Sequence, residues 1–420
     1  MQEKYINRTI EKTIKKIASQ FPVVMITGPR QVGKTTLLQL GKETSGINYV
    51  SLDSLKERIL AQDDPEMFLS IHEAPLIIDE FQYAPNLLSY IKIKVDEERL
   101  NNLKENKKSP TGMYYLTGSQ IFHGMENVSE SLAGRVGIVD MYGLSTRELN
   151  RLNEEIFIPN IEQLKNKEKS KRCSVIELYR RILKGSFPEI YRQDLSDVQK
   201  FYETYIRTYI ERDIRELINV KDENKFIKFV MNIAARTGQE LNITDIANSI
   251  EINNNTADNW LSILKNTGLV FLLQPYSNNN INRIVKKPKI YFMDTGLACY
   301  LTGYMDEITL EKSAYSGAIF ETYVITEIIK SFSNNGIDCS KHLSYFRDSN
   351  GKEIDLLILY NNTVYPIEIK KSMNPKSDAV KNFNVVEKFG MNIGNGGVVC
   401  LYSEIYPLDK QNYLIPIELI

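Results

Sequence analysis

Eight residues near the start of the chain have the types and spacing to hold a phosphate group. Gly28-Pro29-Arg30-Gln31-Val32-Gly33-Lys34-Thr35 fits the pattern G-x-x-x-x-G-K-T, and Thr36 follows it. Backbone N–H groups of such a loop point inward at an anion, and the helix that starts at its end adds its positive terminus. Gly28 and Gly33 let the backbone turn and approach phosphate with no Cβ in the way. Lys34 is placed to reach the β- and γ-phosphates, and the Thr35 hydroxyl to ligate Mg²⁺. The flanks agree with this reading. Val23-Val24-Met25-Ile26 is an apolar, strand-like run, and Thr36-Leu37-Leu38-Gln39-Leu40 reads as the opening turns of a helix. The competing reading is a glycine-rich turn.

A nucleotide site of this kind needs acids on a neighbouring strand. Pro75-Leu76-Ile77-Ile78-Asp79-Glu80 is an apolar run ending in two carboxylates. Asp79 suits the Mg²⁺ shell, and Glu80 suits polarising the attacking water. A third run, Tyr114-Tyr115-Leu116-Thr117-Gly118-Ser119-Gln120, is a strand with a polar exit beside them. Ser119 is the first choice to sense the γ-phosphate and Thr117 the second. Arg135, in Leu132-Ala133-Gly134-Arg135-Val136, is a candidate to stabilise γ-phosphate charge, from its own chain or from a neighbouring subunit. The plain alternative for it is a surface or packing arginine.

A second set of acids lies near the C-terminus. Glu353-Ile354-Asp355-Leu356-Leu357-Ile358, a turn at Asn361-Asn362, and Val364-Tyr365-Pro366-Ile367-Glu368-Ile369-Lys370 read as two antiparallel strands. Strand period two puts Glu368 and Lys370 on one face, and Asp355 falls opposite them. Glu321 lies upstream on an amphipathic helix. Hard carboxylate oxygens at Asp355 and Glu368 suit Mg²⁺, and a lysine beside such a metal suits phosphodiester chemistry. The alternative is a set of solvated strand ends.

These residues must be positioned by more than one domain, since 420 residues exceed one ordinary domain. Runs of alternating strand and helix character over residues 21–150 predict a parallel α/β sheet. Residues 1–150 are assigned to an ATPase domain, 151–236 to a linker and helical domain, 237–300 to a winged-helix-like domain, and 301–420 to an α/β domain. In the third, residues 241–250 and 256–266 read as two helices around a turn, with Trp260, Leu261 and Leu264 on one face. The exposed face would carry Asn254, Asn255, Asp258 and Asn259. A basic cluster, Arg283, Lys286, Lys287 and Lys289, follows as the wing and is the best candidate for DNA contact.

Composition narrows the classes. The net charge of −1 removes any global basic field, so nucleic-acid binding must come from local patches. Four scattered cysteines with no C-x-x-C speak against a zinc site or a disulfide frame and for a reducing, cytoplasmic location. Three separated histidines speak against a Ser-His-Asp triad. The charged first 21 residues do not read as a signal peptide but as an amphipathic helix packed on the ATPase core. No apolar run approaches the ~18 residues that a membrane span needs.

The runs GPRQVGKTTLL, LIIDEFQYAP, YLTGSQ, SLAGRV and GLSTREL, together with YIRTYIERDI and FMDTGL, resemble the prokaryotic predicted ATPases of the AAA+ superfamily. Members join an AAA-type domain to a C-terminal domain of unknown function. The resemblance implies ATP binding; Mg²⁺ follows from the phosphate loop and its acids, and since AAA-type proteins often form rings, a homo-oligomer is an open expectation. The order Glu321, Asp355, Glu368-x-Lys370 is similar to the PD-(D/E)XK nuclease core, where the acids collect Mg²⁺ and the lysine orients or deprotonates water. The expected protein is an α/β, P-loop ATPase with a winged-helix middle and a nuclease-like C-terminal domain, acting on DNA. The alternative is a nucleotide-dependent switch or scaffold whose nuclease fold is inactive and binds a protein partner.

Overall fold

β1 (Val23–Thr27) and β3 (Leu76–Asp79) are buried at every residue, as strands covered on both faces must be. With β2 (Asn48–Ser51), β4 (Tyr114–Thr117) and β5 (Val136–Asp140) they form a parallel sheet in the order β2-β3-β4-β1-β5. The computed structural model describes residues 5–118, 132–192, 197–209, 223–277 and 287–420. Strand alternation divides the packing of β1 between two cores. Val23 and Met25 join Leu76, Ile78 and Leu116 in one. Val24 and Ile26 join Ile10 and Ile14 of helix α1 (Ile10–Ala18) in the other. Helix α2 (Lys34–Ser45) follows β1 through the glycine-bounded loop.

Beyond the sheet, Ser145 caps the short helix α3 (Thr146–Leu149) in a reciprocal box with Glu148. A helical stretch follows, with α4 (Val175–Lys184) and α5 (Pro188–Arg192) separated at Gly185, and then α6 (Val198–Tyr205). Asp294 of the FMDTGL run holds this break together. Its carboxylate accepts from Ser186 N at 2.6 Å, Tyr202 OH at 2.7 Å and Leu297 N at 2.8 Å.

The middle of the chain carries α7 (Glu223–Ala235), β6 (Gln239–Glu240), α8 (Ile243–Ser249), α9 (Asn254–Asn266), β7 (Val270–Leu273) and β8 (Lys289–Phe292). The sequence placed the start of α9 two residues later. It begins at Asn254 because the Asn253 side chain accepts from Thr256 N at 2.7 Å. Trp260 is buried edge-on against Phe226 and Phe229. β8 is the central strand of a three-stranded antiparallel sheet, between β6 and β7.

The C-terminal unit is a mixed sheet over helix α10 (Ser316–Asn334). Its strands are β9 (Leu343–Arg347), β10 (Glu353–Tyr360), β11 (Thr363–Lys370), β12 (Asn392–Ile393), β13 (Gly396–Cys400), β14 (Tyr406–Pro407) and β15 (Asn412–Pro416). β10 and β11 form the expected hairpin, turned by Asn361 and Asn362 at φ 49° and 58°. The α/β class expected from the sequence holds for the five-stranded sheet and for the C-terminal sheet.

Helix α10 binds the two ends of the molecule together. Nearly all of it is buried, including eight polar residues from Ser316 to Asn334 that each find a partner. Glu327 accepts from Thr146 N at 2.6 Å, Lys330 donates to Leu144 O at 3.1 Å, and Ser333 donates to Asp140 O at 2.6 Å. Thr13 of α1 donates to Asn334 O at 2.7 Å, and Asn334 Nδ2 donates to Glu154 at 2.7 Å. Burial and the charge of Glu148 push the Glu154 carboxyl up to about 7. Among the described residues no helix is long and apolar enough to cross a membrane.

Candidate functional site

The loop after β1 is held in shape from below. Gly28 has φ 132°, and a Cβ there would stand 2.0 Å from Met141 O, so only glycine fits. Gly33 at φ 95° and Gln31 at φ 62° supply the remaining turns. Arg8 braces the loop: its Nη1 donates to Val32 O at 2.8 Å and its Nη2 to Tyr142 O at 2.7 Å. The guanidinium is also paired with Glu148 at 3.2 Å, both side chains being buried.

Lys34 curls back over the loop, donating to Gly28 O at 2.8 Å and Pro29 O at 2.7 Å. It is 6% exposed. Burial lowers its pKa to about 8 against the pull of Glu80 and Asp79. Asp79 is also buried, and its carboxylate accepts three hydrogen bonds. They come from Thr35 Oγ1 at 2.8 Å, Tyr49 OH at 3.0 Å and Thr117 Oγ1 at 2.6 Å. Glu80 follows in a left-handed conformation, φ 55° and ψ 42°, which turns it out of the strand. Burial raises its pKa, and Gln82 Nε2 donates to its carboxylate.

A cavity of about 660 Å³ opens over these groups, large enough for a nucleotide. The loop residues Arg30 to Thr36 and Glu80 line one side, and Glu189 and Arg192 of α5 and Phe201 of α6 line the other. Nothing in the sequence marked α5 and α6 as walls of this cavity.

Two further candidates were expected at this site. Ser119 lies outside the described residues, whereas Thr117, the second choice, meets Asp79. Arg135 does not reach the phosphate loop of its own chain. Its carbonyl accepts from Val23 N, at the opposite end of β1, and its guanidinium grips Asp96 with two contacts of 2.8 Å.

In the C-terminal unit, Glu321, Asp355, Glu368 and Lys370 converge. The register of Leu356 with Ile367 sets Asp355 beside Glu368, and Asp355 Oδ2 accepts from Ile369 N at 2.9 Å. Lys370 Nζ lies 2.6 Å from Glu368 and 3.7 Å from Asp355. Burial, with the charge of Asp355, pushes Glu368 up to about 8. A groove of about 560 Å³ leads to Asp355 and Glu368 past Lys370, Lys376 and Lys381.

One residue was misread. Lys289 was expected among the basic groups of a wing, but it is 4% exposed, and its Nζ sits 2.6 Å from Glu353, 3.4 Å from Glu321 and 4.0 Å from Asp355. Burial alone would lower its pKa; Glu321, Asp355 and Glu353 outweigh burial and raise it. Arg283 and Lys286 lie outside the described residues. The exposed face of α9 does carry Asn254, Asn255, Asp258 and Asn259. Among the described residues, no group of three or more His, Cys, Asp or Glu side chains is disposed to hold a metal ion. Asp355 and Glu368, the two expected metal ligands of this cluster, stand side by side across the hairpin, as Thr35 and Asp79 do at the nucleotide site.

Three domain families match the chain in series. They are an AAA domain at residues 20–150, a domain of unknown function (DUF8612) at 176–307 and a domain of unknown function (DUF4143) at 316–420. An uncharacterized protein of Mycobacterium tuberculosis is 27% identical over 365 residues, which is 86% of this chain and 73% of that protein. An uncharacterized protein of Methanocaldococcus jannaschii is 23% identical over 395 residues, 87% of this chain and 79% of that one. The Walker-type ATPase of Pyrococcus abyssi superposes with a TM-score of 0.45 at 14% identity, over 71% of this chain and 97% of that one, too low to assign a fold by itself. The phosphate loop, its acids and the match over residues 20–150 agree: those residues form an AAA-type P-loop ATPase domain, and domains of unknown function follow it along the chain.

Proposed function

We propose that this ATPase is a Mg²⁺-dependent, nucleotide-driven switch, and that α10 carries its nucleotide state to the C-terminal domain. The observation that carries the reading is the path through that helix. Gly28 packs on Met141, Asp140 O accepts from Ser333 near one end of α10, and Glu321 near the other end lies in the acid cluster. A 19-residue helix spans about 28 Å. A shift at the phosphate loop therefore has a rigid, buried element to move.

Lys34 and the loop amides hold the triphosphate. Thr35 and Asp79 supply hard oxygens for Mg²⁺, which neutralises phosphate charge when bound. Glu80, kept proton-hungry by burial, takes the proton of the attacking water. Arg192 and Arg30 face the same cavity and add positive charge to it. Residues 1–150, 151–236, 237–300 and 301–420 remain the proposed units, in a cytoplasmic protein that works as a homo-oligomer.

Hydrogen exchange on the Glu80→Gln protein, with and without ATP and Mg²⁺, tests the switch. Altered protection is expected in residues 316–334 and in β10 and β11. Protection unchanged outside residues 20–150 would refute it.

A second reading, cleavage of DNA by a nuclease-like core beside a winged helix, is favoured by the lysine-lined groove beside Asp355 and Glu368. Lys287 is then the described basic residue of the wing, and Glu321, Asp355, Glu368 and Lys370 are the cleavage residues. Cutting of labelled DNA that disappears in Asp355→Ala would establish it. Intact substrate under every metal and nucleotide condition would remove it.

A further inference from the structure

We propose that the ammonium of Lys289 is the resident cation of the C-terminal acid cluster, which makes the cluster a metal-independent ionic joint and not a Mg²⁺ site. Strand alternation sends Lys289 and Tyr291 to the same side of β8. Both arrive at Glu321: the Tyr291 hydroxyl donates to Oε1 at 2.7 Å, and Lys289 Nζ lies 3.4 Å from the same oxygen. That Nζ is 2.6 Å from Glu353 and 4.0 Å from Asp355. It thus stands among three carboxylates drawn from α10 and β10. Two more contacts meet these acids. Lys370 holds Glu368 at 2.6 Å, and Ile369 N holds the other oxygen of Asp355 at 2.9 Å.

Mg²⁺ requires near-octahedral oxygen ligands at about 2.0–2.1 Å. An ammonium among the same oxygens supplies the positive charge that the acids need and repels a dication brought beside it. Buried carboxylates stay ionised where they are paired or hold a metal, and here lysines stand beside them. The joint also has a mechanical meaning. It fastens the central strand of the three-stranded sheet to the helix and hairpin of the C-terminal unit. Along the same seam Tyr345 OH donates to Lys287 O at 2.5 Å, and Pro275 bridges to Tyr345. None of these contacts involves the nucleotide site, although Glu321 belongs both to this joint and to the α10 path of the proposed switch.

Counting bound Mn²⁺ by electron paramagnetic resonance on the full, nucleotide-free chain tests it. Wild type and Asp355→Asn should bind the same number of ions. Lys289→Met should gain one ion per chain, and the double variant Lys289→Met, Asp355→Asn should lose it again. Loss of an ion from Asp355→Asn alone would overturn the proposal, as would a folded Lys289→Met that gains none. Should Lys289→Met fail to fold, the comparison of wild type with Asp355→Asn decides.

Discussion

ATP affinity should fall as pH rises through 8, far below the pH at which an ordinary lysine would matter. The perturbation acts on Lys34, whose burial brings its pKa from 10.5 to about 8 in the nucleotide-free protein. A bound triphosphate sets negative charge against the amine and holds it protonated. Binding above pH 8 must then take up a proton. Affinity relative to its low-pH plateau should drop about tenfold at pH 9, or ~1.4 kcal/mol, and by only about a tenth at pH 7. Titration calorimetry in two buffers of different ionisation enthalpy reads the uptake directly. The expected values are about 0.1, 0.5 and 0.9 protons at pH 7, 8 and 9. Stability of the nucleotide-free fold moves the other way. Between about 8 and 10.5 the unfolded chain keeps a proton that the folded chain has lost, so stability rises with pH in that window. A flat affinity up to pH 9 with no proton uptake would refute the buried, lowered lysine.

Four substitutions extend the test. Lys34→Ala should abolish ATP binding in a calorimetric titration, since the ammonium that meets the phosphates is gone. Glu80→Gln should keep that binding and lose steady-state hydrolysis by about 10²–10⁴-fold, the usual share of general base catalysis. Arg135→Ala should leave turnover unchanged, because its guanidinium is engaged by Asp96 at the far end of β1; a large loss in turnover would mean that the arginine acts on a neighbouring subunit's nucleotide. Arg8→Met should lower stability by roughly 3–5 kcal/mol, read from urea unfolding, because it strands Glu148 in the interior.

Local chemistry was legible in the sequence, and distant contacts were not. The phosphate loop, the two acids at the end of β3 and the Asn361-Asn362 hairpin each depend on neighbours within a few residues, so pattern alone found them. Arg8 and Glu148 are 140 residues apart and carry no shared pattern. Lys289 was misread because three basic neighbours suggested a solvated wing. The signal against that lay in Lys289-Ile290-Tyr291-Phe292, an apolar strand whose period two turns Lys289 inward with Tyr291. The brace between α10 and the AAA domain escaped notice because its polar residues look like an ordinary helix surface until the burial is seen.

That brace also sets an order of events during synthesis. α1 and the strand ends near Asp140 emerge early, but Ser333 and Asn334, which cover them, follow roughly 180 residues after Glu154. At about 5–20 residues per second this is an interval of roughly 10–40 s. Through that interval the nascent AAA domain keeps the Thr13 side of its helix and the Asp140 end of its sheet open to water and to other chains. The ATPase is therefore sealed late, and its safe folding depends on how well those surfaces are shielded on the ribosome.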